Sequence, residues 1–472
     1  MNKKKWLLGI WAILIIFMFG AFISGCNSQP AATFGYIETG FGPNEHDMEK
    51  YALLFPHHYD SFMKNAEMSD ENSKYGGSIL DDHLEKYPYM KTLFAGMPFS
   101  LEYNEDRGHV YSMIDLVEIK RVTSLPGGKQ QMGSCLTCKT VEAFDLQVEM
   151  GLDYYSTPLP ELLPDVVHGF SCSVCHDPQT MKLSVGQQPF IDAMNRIGTD
   201  VTKATQQEMR TYVCAQCHVE YYFNPARQGE VTFPWDKGFD AADMEQYYNE
   251  IAGPLYGFNQ DWVHPDTGTP LLKAQHPEFE MYQGSIHQIN GVSCADCHMP
   301  YVKQGNTKIS SHWMTSPMKH MEQSCTVCHR QNVDELRDYV YSTQDTVFVN
   351  LKKAGSYNEQ AINTIAKAIE LGATDEALAQ ARALHRQSQW RWDYVAAENS
   401  MGFHNTSKAL STLAESIELA QQATMAAARA GNFHDIPELK PYGDYVYERF
   451  EVSGWSKDRA RTQAPTSMDW HH

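Results

Sequence analysis

The pattern of apolar and polar positions separates an irregular first part of the chain from a helical second part. Residues 46–100 mix aromatic and charged positions in short runs, which predicts short helices. Between residues 101 and 330, Gly, Pro, Asn and Asp interrupt the pattern and strand alternation is scarce, so we expect loops with little conventional core. After about Asp334 the apolar positions recur at three- and four-residue steps, which predicts long helices, as in Leu410, Leu413, Ile417 and Ala420.

Capping residues set the limits of three long helices. The first is expected to end just before Gly372, because glycine readily adopts the left-handed conformation that ends a helix. Thr374 is a suitable N-cap for the second helix, which is expected to reach about Ser400. The third is expected to end near Gly431, and its candidate caps are Asn405, Thr406 and Ser407. These helices form a bundle packed on the first part of the chain, or a bundle that also serves as a dimer interface.

Residues 1–26 are predicted to be a targeting segment. Three lysines at positions 3–5 precede an apolar run from Trp6 to Phe22, and Ile23-Ser24-Gly25-Cys26 follows. This ending resembles a bacterial lipobox, in which Cys26 is lipidated and becomes the mature N-terminus. The alternative is an uncleaved signal anchor, since the run is just long enough to span a bilayer. Either way, we expect export and a membrane tether on the periplasmic or extracellular side of a bacterial cytoplasmic membrane, followed by a linker over residues 27–50.

Five Cys-x-x-Cys pairs hold ten of the eleven cysteines, which leaves only Cys26 outside them. Four pairs are followed directly by histidine, and these are Cys172/Cys175/His176, Cys214/Cys217/His218, Cys294/Cys297/His298 and Cys325/Cys328/His329. Cys-x-x-Cys-His is the attachment signature of c-type haem, in which the thiols bind the porphyrin and the histidine ligates iron. Zinc sites or disulfides are the alternative, but zinc knuckles rarely repeat a histidine directly after the second cysteine. The pattern therefore predicts covalent haem.

The first pair, Cys135 and Cys138, is followed by Lys139 instead of histidine. An amine binds a metal only when it is neutral, and the ordinary pKa of lysine is about 10.4, so the metal must displace a proton. Because one motif in five departs from the rule, we expect the haem at Lys139 to have a role that differs from that of the others.

In their order and spacing, these motifs resemble those of the pentahaem cytochrome c nitrite reductases, which form ammonia. The likeness covers roughly residues 80–430 and includes Arg107-Gly108-His109 and residues 218–223, 273–277 and 389–393. It implies a mainly α multihaem cytochrome c fold with a loop-rich haem-binding region, long C-terminal helices and little β structure. Five haem c groups would then lie in a catalytic region over residues 51–330, followed by a long-helix bundle or dimerisation region over 331–452 and an irregular tail over 453–472.

The resemblance also implies the ligands and the pocket. A second histidine would ligate the second, third, fourth and fifth haems, in that order His312, His109, His404 and His287, so that these haems only pass electrons. The lysine-ligated haem would keep an open face, where Arg121, Tyr221 and His276 bind nitrite and supply protons for its six-electron reduction to ammonium. A calcium site is implied for Glu220, Gln275 and the main-chain carbonyls of Tyr221 and Lys273, all of which offer oxygen, the ligand that calcium prefers.

The expected partners follow from charge and from the resemblance. The formal net charge of -20 argues against nucleic acid, and it means that an anion such as nitrite needs a local positive site, which Arg121 can provide. The resemblance implies a homodimer and a membrane quinol-oxidising cytochrome as electron donor. Two other functions remain open: a multihaem electron-transfer protein without a substrate, and a related reductase of hydroxylamine or sulfite. Lys139 favours an enzyme, because an electron carrier needs no unusual ligand opposite an open position.

Overall fold

The computed structural model describes residues 37–105, 107–123, 130–441 and 469–470. The predicted targeting segment with Cys26, part of the linker and most of the tail lie outside these residues. The structure is 55% helical and 6% strand, which confirms the mainly α fold with little β structure. Within the described residues, no helix combines the length and the apolar character needed to cross a membrane.

Short helices dominate the chain before residue 330, and those at residues 48–93 confirm the short helices predicted there. In chain order, α1 to α17 are Met48–Leu54, Pro56–Met63, His83–Lys86, Tyr89–Leu93, Ser112–Glu118, Lys120–Thr123, Glu142–Met150, Asp153–Ser156, Leu159–Leu162, Gln188–Arg196, Gln206–Ala215, Ala241–Tyr247, Gly253–Tyr256, Glu278–Tyr282, Ile286–Ile289, Cys294–His298 and Met321–Ser324. Single 3₁₀ turns join many of them, and those that bear on the site are His109–Tyr111, Gly133–Leu136 and Cys172–Val174.

The strands form three small antiparallel hairpins. These are β1 (Tyr222–Asn224) with β2 (Glu230–Thr232), β3 (Trp262–Val263) with β4 (Pro270–Leu271), and β5 (Tyr301–Gln304) with β6 (Thr307–Ser310). Two hairpins bear on the predicted pocket, because Tyr221 immediately precedes β1 and Lys273 lies two residues after β4.

Three long helices follow, α18 (Val333–Glu370), α19 (Asp375–Ala396) and α20 (Thr406–Ala430), and they pack against one another. Each begins at a side chain that accepts a main-chain N–H three residues later, and these caps are Asn332, Thr374 and Asn405. Gly372 ends α18 with a φ of 88°, and the N–H of Ala373 donates to the carbonyl of Ala368 at 3.0 Å. The predicted long helices are confirmed, although α19 ends at Ala396 and not near Ser400.

Two large apolar cores support the fold. One packs the long helices against α4, α12 and the segment around β3 and β4, with Trp390 and Trp392 buried in it. The buried residues of the other all lie between residues 113 and 279, where the ring centroids of Phe190, Phe233 and Trp235 are 4.9–6.3 Å apart in edge-to-face and tilted arrangements. The expectation of little conventional core there is therefore wrong. Its aromatic residues come from separate loops and helices, so they leave no periodic signal in the sequence.

Candidate haem-binding and active site

One helical turn shapes each of the four motifs that end in histidine. In three motifs the N–H of the histidine donates to the carbonyl of the first cysteine, at 3.0 Å for His176, 3.0 Å for His218 and 2.9 Å for His329. His298 closes the short helix α16, which begins at its own first cysteine. Residues four apart in a helical turn lie on one face, so the first thiol and the histidine point to the same side. The ten motif cysteines form no disulfide.

Cys328 differs from the other nine motif cysteines, because it is exposed whereas they are partly buried. The fifth motif lies at the surface, just before α18, and the neighbouring Val327 and His329 are exposed as well. Cys325, the first thiol of this motif, is partly buried, so the motif faces the interior with one cysteine only.

Each motif histidine lies opposite one of the four histidines that the resemblance named as distal ligands. The ring centroids are 6.2 Å apart for His176 and His312, 6.1 Å for His218 and His109, 6.2 Å for His298 and His404, and 6.2 Å for His329 and His287. When two imidazole rings bind one metal ion from opposite sides, two metal–nitrogen bonds of about 2 Å plus the two ring radii place the ring centroids about 6 Å apart. The pairs therefore fit a six-coordinate iron between their rings.

Hydrogen bonds fix the tautomer of several of these rings. Nδ1 lies 2.9 Å from the carbonyl of Met181 in His176, 2.9 Å from that of Thr315 in His298, and 3.0 Å from that of Ser310 in His312. A carbonyl can only accept, so Nδ1 carries the proton and Nε2 keeps a free lone pair for a metal. Burial lowers the pKa of His109 and His312 to about 3 and that of His298 to about 4, so these rings are neutral.

Electrostatic interactions among the thiols show which motifs are neighbours. The thiol of Cys217 in the third motif lowers the pKa of Cys138 in the first, and the thiol of Cys214 in the third raises the pKa of Cys294 in the fourth. The pKa of Cys217 is raised chiefly by Cys138 and also by Cys175 of the second motif, and that of Cys297 is raised by burial and also by Cys325 of the fifth. The third motif is therefore a branch point that adjoins the first, second and fourth, and the fifth lies beyond the fourth.

Gly108 shows how the distal histidines are held. A Cβ at this position would overlap with the main-chain carbonyl of Asn65, whose side chain donates to the carbonyl of His312 at 2.8 Å. We expect Gly108→Ala to destabilise the protein by about 1–3 kcal/mol and to displace His109 from His218. Thermal unfolding and the low-spin haem signal measure both effects. Gly42→Ala is the matched control, since its Cβ would meet nothing within 4 Å, and equal behaviour of the two variants would contradict the prediction.

Lys139 lies beside the helix that follows His109. Its carbonyl accepts a hydrogen bond from the Ser112 hydroxyl of α5 at 2.7 Å. Burial raises the pKa of Tyr221 well above its usual range, and the thiols of Cys138 and Cys135 raise it further, whereas Arg121 lowers it. These electrostatic contacts place Tyr221 near both the first motif and Arg121. The phenol stays protonated and can donate a hydrogen bond.

Arg121 has an unsatisfied hydrogen-bond donor near Tyr221. Its Nη1 atom is buried and has no hydrogen-bond partner among the described residues. The guanidinium carbon lies 5.1 Å from the ring centroid of Phe99 and 5.9 Å from that of Tyr103, so aromatic faces hold the group in position. A buried cation with an unused N–H group favours a bound anion.

One hydrogen bond joins the segments of Tyr221 and His276. Gln275 precedes His276, and its main-chain N–H donates to Oε2 of Glu220, the residue before Tyr221, at 2.6 Å. Tyr221 and His276, two of the predicted pocket residues, therefore directly follow the two residues that this hydrogen bond joins. Half-buried His276 lies between β4 and α14, and its carbonyl accepts from the N–H of Glu278 at 2.8 Å.

The other side of the His276 loop is held by Asp393 of α19. Its Oδ2 accepts from the N–H of Ala274 at 2.8 Å, and its Oδ1 lies 2.8 Å from Nζ of Lys273. Both charged side chains of this ion pair are 1% exposed or less, so losing either one would leave a buried charge unpaired. The long-helix region thus positions the pocket.

Three carboxylates lie close to this loop, and two of them, Glu220 and Glu280, are buried whereas the residue Asp261 is exposed. Burial raises the pKa of Glu220 well above its usual range and that of Glu280 to about 8, and desolvation of its carboxyl group raises that of Asp261 to about 6. Glu220 also accepts from the hydroxyl of Tyr248 at 2.9 Å, and its own N–H donates to Glu280 at 2.8 Å. Buried carboxylates are stabilised by a proton or by a cation. The group could therefore hold a hard cation with oxygen ligands.

The sequence profile of the cytochrome c552 family matches residues 47–440. The chain belongs to the cytochrome c552 family. A family member from Porphyromonas gingivalis, named cytochrome c-552, is 36% identical to this chain and the match covers 99% of this chain and 92% of the relative. The cytochrome c nitrite reductase subunit NrfA of Nitratidesulfovibrio vulgaris is 37% identical, with 92% of this chain and 88% of the relative covered.

A solved structure is similar to the cytochrome c552 fold seen here. It is the cytochrome c nitrite reductase of Desulfovibrio desulfuricans, with a TM-score of 0.79, 40% identity, and coverage of 86% of this chain and 90% of that one. Its catalytic subunit has two calcium sites. The likeness confirms the family resemblance and the predicted fold class, and membership of a cytochrome c family confirms haem c as a cofactor.

Sequence reasoning missed several residues of this cytochrome c552 that support the site. Glu280 and Asp261 lie in segments without a recognisable motif, so the burial of Glu280 and the raised pKa of Asp261 near Glu220 could not be foreseen. Glu398, whose Oε1 lies 2.6 Å from Nδ1 of His404, was missed as well. Its position six residues before a predicted ligand was the only available signal.

Proposed function

We propose that this protein is a respiratory nitrite reductase that converts nitrite to ammonium with six electrons and eight protons, releasing two waters. The observation that carries the proposal is the buried Nη1 atom of half-buried Arg121, which has no hydrogen-bond partner among the described residues, near the one motif that has lysine in place of histidine. Four motifs have a histidine ring opposite, which suits electron transfer. The first motif has an anion-binding group at its side, which suits a substrate.

Arg121 binds and orients the substrate. Its Nη1 donates to a nitrite oxygen, and the fixed positive charge compensates locally for the net charge of -20. When bound at Lys139, the haem supplies an iron that can hold the nitrogen of nitrite and deliver electrons. Phe99 and Tyr103 keep the guanidinium in place, so its orientation is set before the substrate arrives.

His276 and Tyr221 supply and hold protons. Tyr221 stays protonated because burial raises its pKa, so its hydroxyl donates to the substrate throughout. His276 donates protons to the oxygens that leave as water, and it is reprotonated from solvent. The Glu220–Gln275 hydrogen bond fixes the positions of Tyr221 and His276 relative to each other.

The histidine pairs form the electron path. We assign His312, His109, His404 and His287 as the distal ligands opposite His176, His218, His298 and His329. The thiol contacts order this path, with the third motif beside the first. Electrons that enter at the second motif reach the substrate through the third.

Cys328 keeps its assignment as a haem-attachment residue in spite of its exposure. The thiol belongs to an intact Cys-x-x-Cys-His motif, and the next residue, His329, has the ring of His287 opposite at 6.2 Å. An exposed thiol is accessible to a vinyl group, so the fifth haem would be attached at the surface of the protein on this side.

Calcium is the cation that we assign to the carboxylate group. Oxygen atoms of Glu220, Gln275 and the carbonyls of Tyr221 and Lys273 would hold it, and the Gln275 amide already lies 3.4 Å from the Lys273 carbonyl. The raised pKa of Glu220 is the observation that fits, because a cation would take the place of the proton.

Glu220→Gln is expected to weaken calcium binding strongly. A ligand at 100 times its Kd stabilises the folded state by about 2.7 kcal/mol, and this variant should lose that gain. Thermal unfolding with added calcium or with a chelator measures it. Glu359→Gln is the matched control, because Glu359 is a buried carboxylate outside this group whose side-chain partners are Thr92 and Lys440. A calcium effect that survives in Glu220→Gln would place the cation elsewhere.

Location and partners complete the proposal. A lipid on Cys26, or an uncleaved anchor, would tether the exported chain to the membrane, next to a quinol-oxidising cytochrome that supplies electrons. The packed long helices offer a surface for a homodimer. Labelling with radioactive palmitate tests the lipid, and loss of the label in Cys26→Ala is the expected result.

The experiment that tests the function is a product balance. Purified protein with a low-potential electron donor should consume six electrons per nitrite and release one ammonium. An electron-transfer protein would consume no nitrite, and this result would overturn the proposal.

A further inference from the structure

The loop between α19 and α20 is built around the buried carboxylate of Glu398. Its side chain is 0% exposed, and Oε1 lies 2.6 Å from Nδ1 of His404. Oε1 also accepts from the N–H of Ser400 at 3.0 Å, while Oε2 accepts from the Ser400 hydroxyl at 2.9 Å and from the N–H of Gly402 at 3.2 Å. Because the surrounding main-chain N–H groups can only donate, the group is held as a carboxylate anion.

This environment differs from that of other paired histidines. Nδ1 of His176, His298 and His312 faces a neutral main-chain carbonyl in each case. His218 has a carboxylate in its vicinity, but Oε2 of Glu278 lies 3.9 Å from its Nδ1, which is beyond hydrogen-bonding distance. Glu398 therefore places a full negative charge closer to its histidine than these residues do.

We propose that Glu398 is a positioning residue that lowers the reduction potential of the fourth haem. The inference rests on the proposed ligation of that haem by His404. A negative charge 2.6 Å from Nδ1 stabilises positive charge on the ring and on the iron that the ring ligates, so it favours the oxidised iron. A neutral carbonyl does so more weakly, so the effect is larger at the fourth haem than at the second, where both His176 and His312 face main-chain carbonyls.

The position of the fourth motif means that a lower potential of its haem would change the direction of electron transfer. The pKa shifts of the thiols place the third motif beside both the first and the fourth, and the fifth beside the fourth. A low-potential fourth haem makes transfer from the third haem toward the fifth unfavourable. Electrons at the branch point then pass preferentially to the first haem, where the substrate binds.

The test is a redox titration of the holoprotein, followed by electron paramagnetic resonance of the low-spin haems. In Glu398→Gln, the amide keeps the size of the side chain but removes its charge, and we expect one low-spin midpoint potential to rise while the others stay unchanged. Glu398→Asp keeps the charge and should remain close to wild type. Glu359→Gln is the matched control, because Glu359 is a buried carboxylate of α18 whose side-chain partners are Thr92 and Lys440.

Three outcomes would overturn the proposal. These are unchanged midpoints in Glu398→Gln, an equal shift in Glu359→Gln, and loss of the fourth low-spin haem in Glu398→Gln, which would make the role purely structural. The titration needs no nitrite. A protein that fails to reduce nitrite can still show the shift, so the two proposals fail independently.

Discussion

Replacing Arg121 by alanine is expected to lower kcat/KM for nitrite by about 10²- to 10³-fold while all five haems stay attached. Removing one preorganised donor from a site where charge develops has an effect of about this size. Arg121 is also the cation whose buried Nη1 lacks a partner among the described residues, so no other contact of that atom is sacrificed. Steady-state nitrite reduction and the haem absorbance per protein measure the two quantities.

Two further variants show whether position 121 is the right one. Lys120→Ala removes the neighbouring positive charge on the same short helix α6 and should leave nitrite reduction nearly unchanged. Arg121→Lys keeps the charge but loses the two-pronged donor, so its activity should lie between those of the wild type and the alanine variant. If Lys120→Ala were the impaired variant, the substrate-binding residue would have been assigned one position too late.

Replacing Lys139 by histidine is expected to reduce nitrite turnover by about 10- to 100-fold and to leave the four paired haems intact. Imidazole is shorter and stiffer than the lysine side chain, so the iron shifts relative to Arg121 and His276, and a misplacement of about 1 Å can lower a rate about 100-fold. The paired histidines have their own partners 6.1–6.2 Å away and should not respond. Turnover and the low-spin signals provide the measurement.

Lys139→Arg separates ligation from charge. Arginine is always protonated and cannot ligate iron, so this variant should lose more activity than Lys139→His. If arginine supported the higher activity, Lys139 would act through its positive charge and the proposed ligation would be contradicted.

Short-range sequence signals predicted much of the fold. The caps at Thr374 and Asn405 and the glycine at 372 are single-residue features with a direct physical effect, and the structure confirms the helices that they delimit. The core around Phe190 and Trp235 had no such signal, because its rings meet only when loops far apart in sequence fold together.

Some features of the site could likewise be predicted from a local sequence pattern, and others could not. Haem attachment follows from a contiguous five-residue pattern, so it could be predicted from residues such as Cys172 and His176 alone, whereas the exposure of Cys328 could not, because the pattern does not report where a motif lies in the fold. The distal histidines depend on long-range folding, and only the family resemblance named His404 before the structure placed it 6.2 Å from His298.

The acidic residues around the site show most clearly what could not be predicted from the sequence. Glu398 and Glu280 were missed, because burial decides their role and single-sequence patterns do not report the burial of an isolated acid.

The open face of the haem at Lys139 is the central claim, and electron paramagnetic resonance of the oxidised protein tests it most directly. We predict one high-spin haem beside four low-spin haems, with only the high-spin signal changing when nitrite is added. Five low-spin haems that ignore nitrite would contradict the claim and leave an electron carrier.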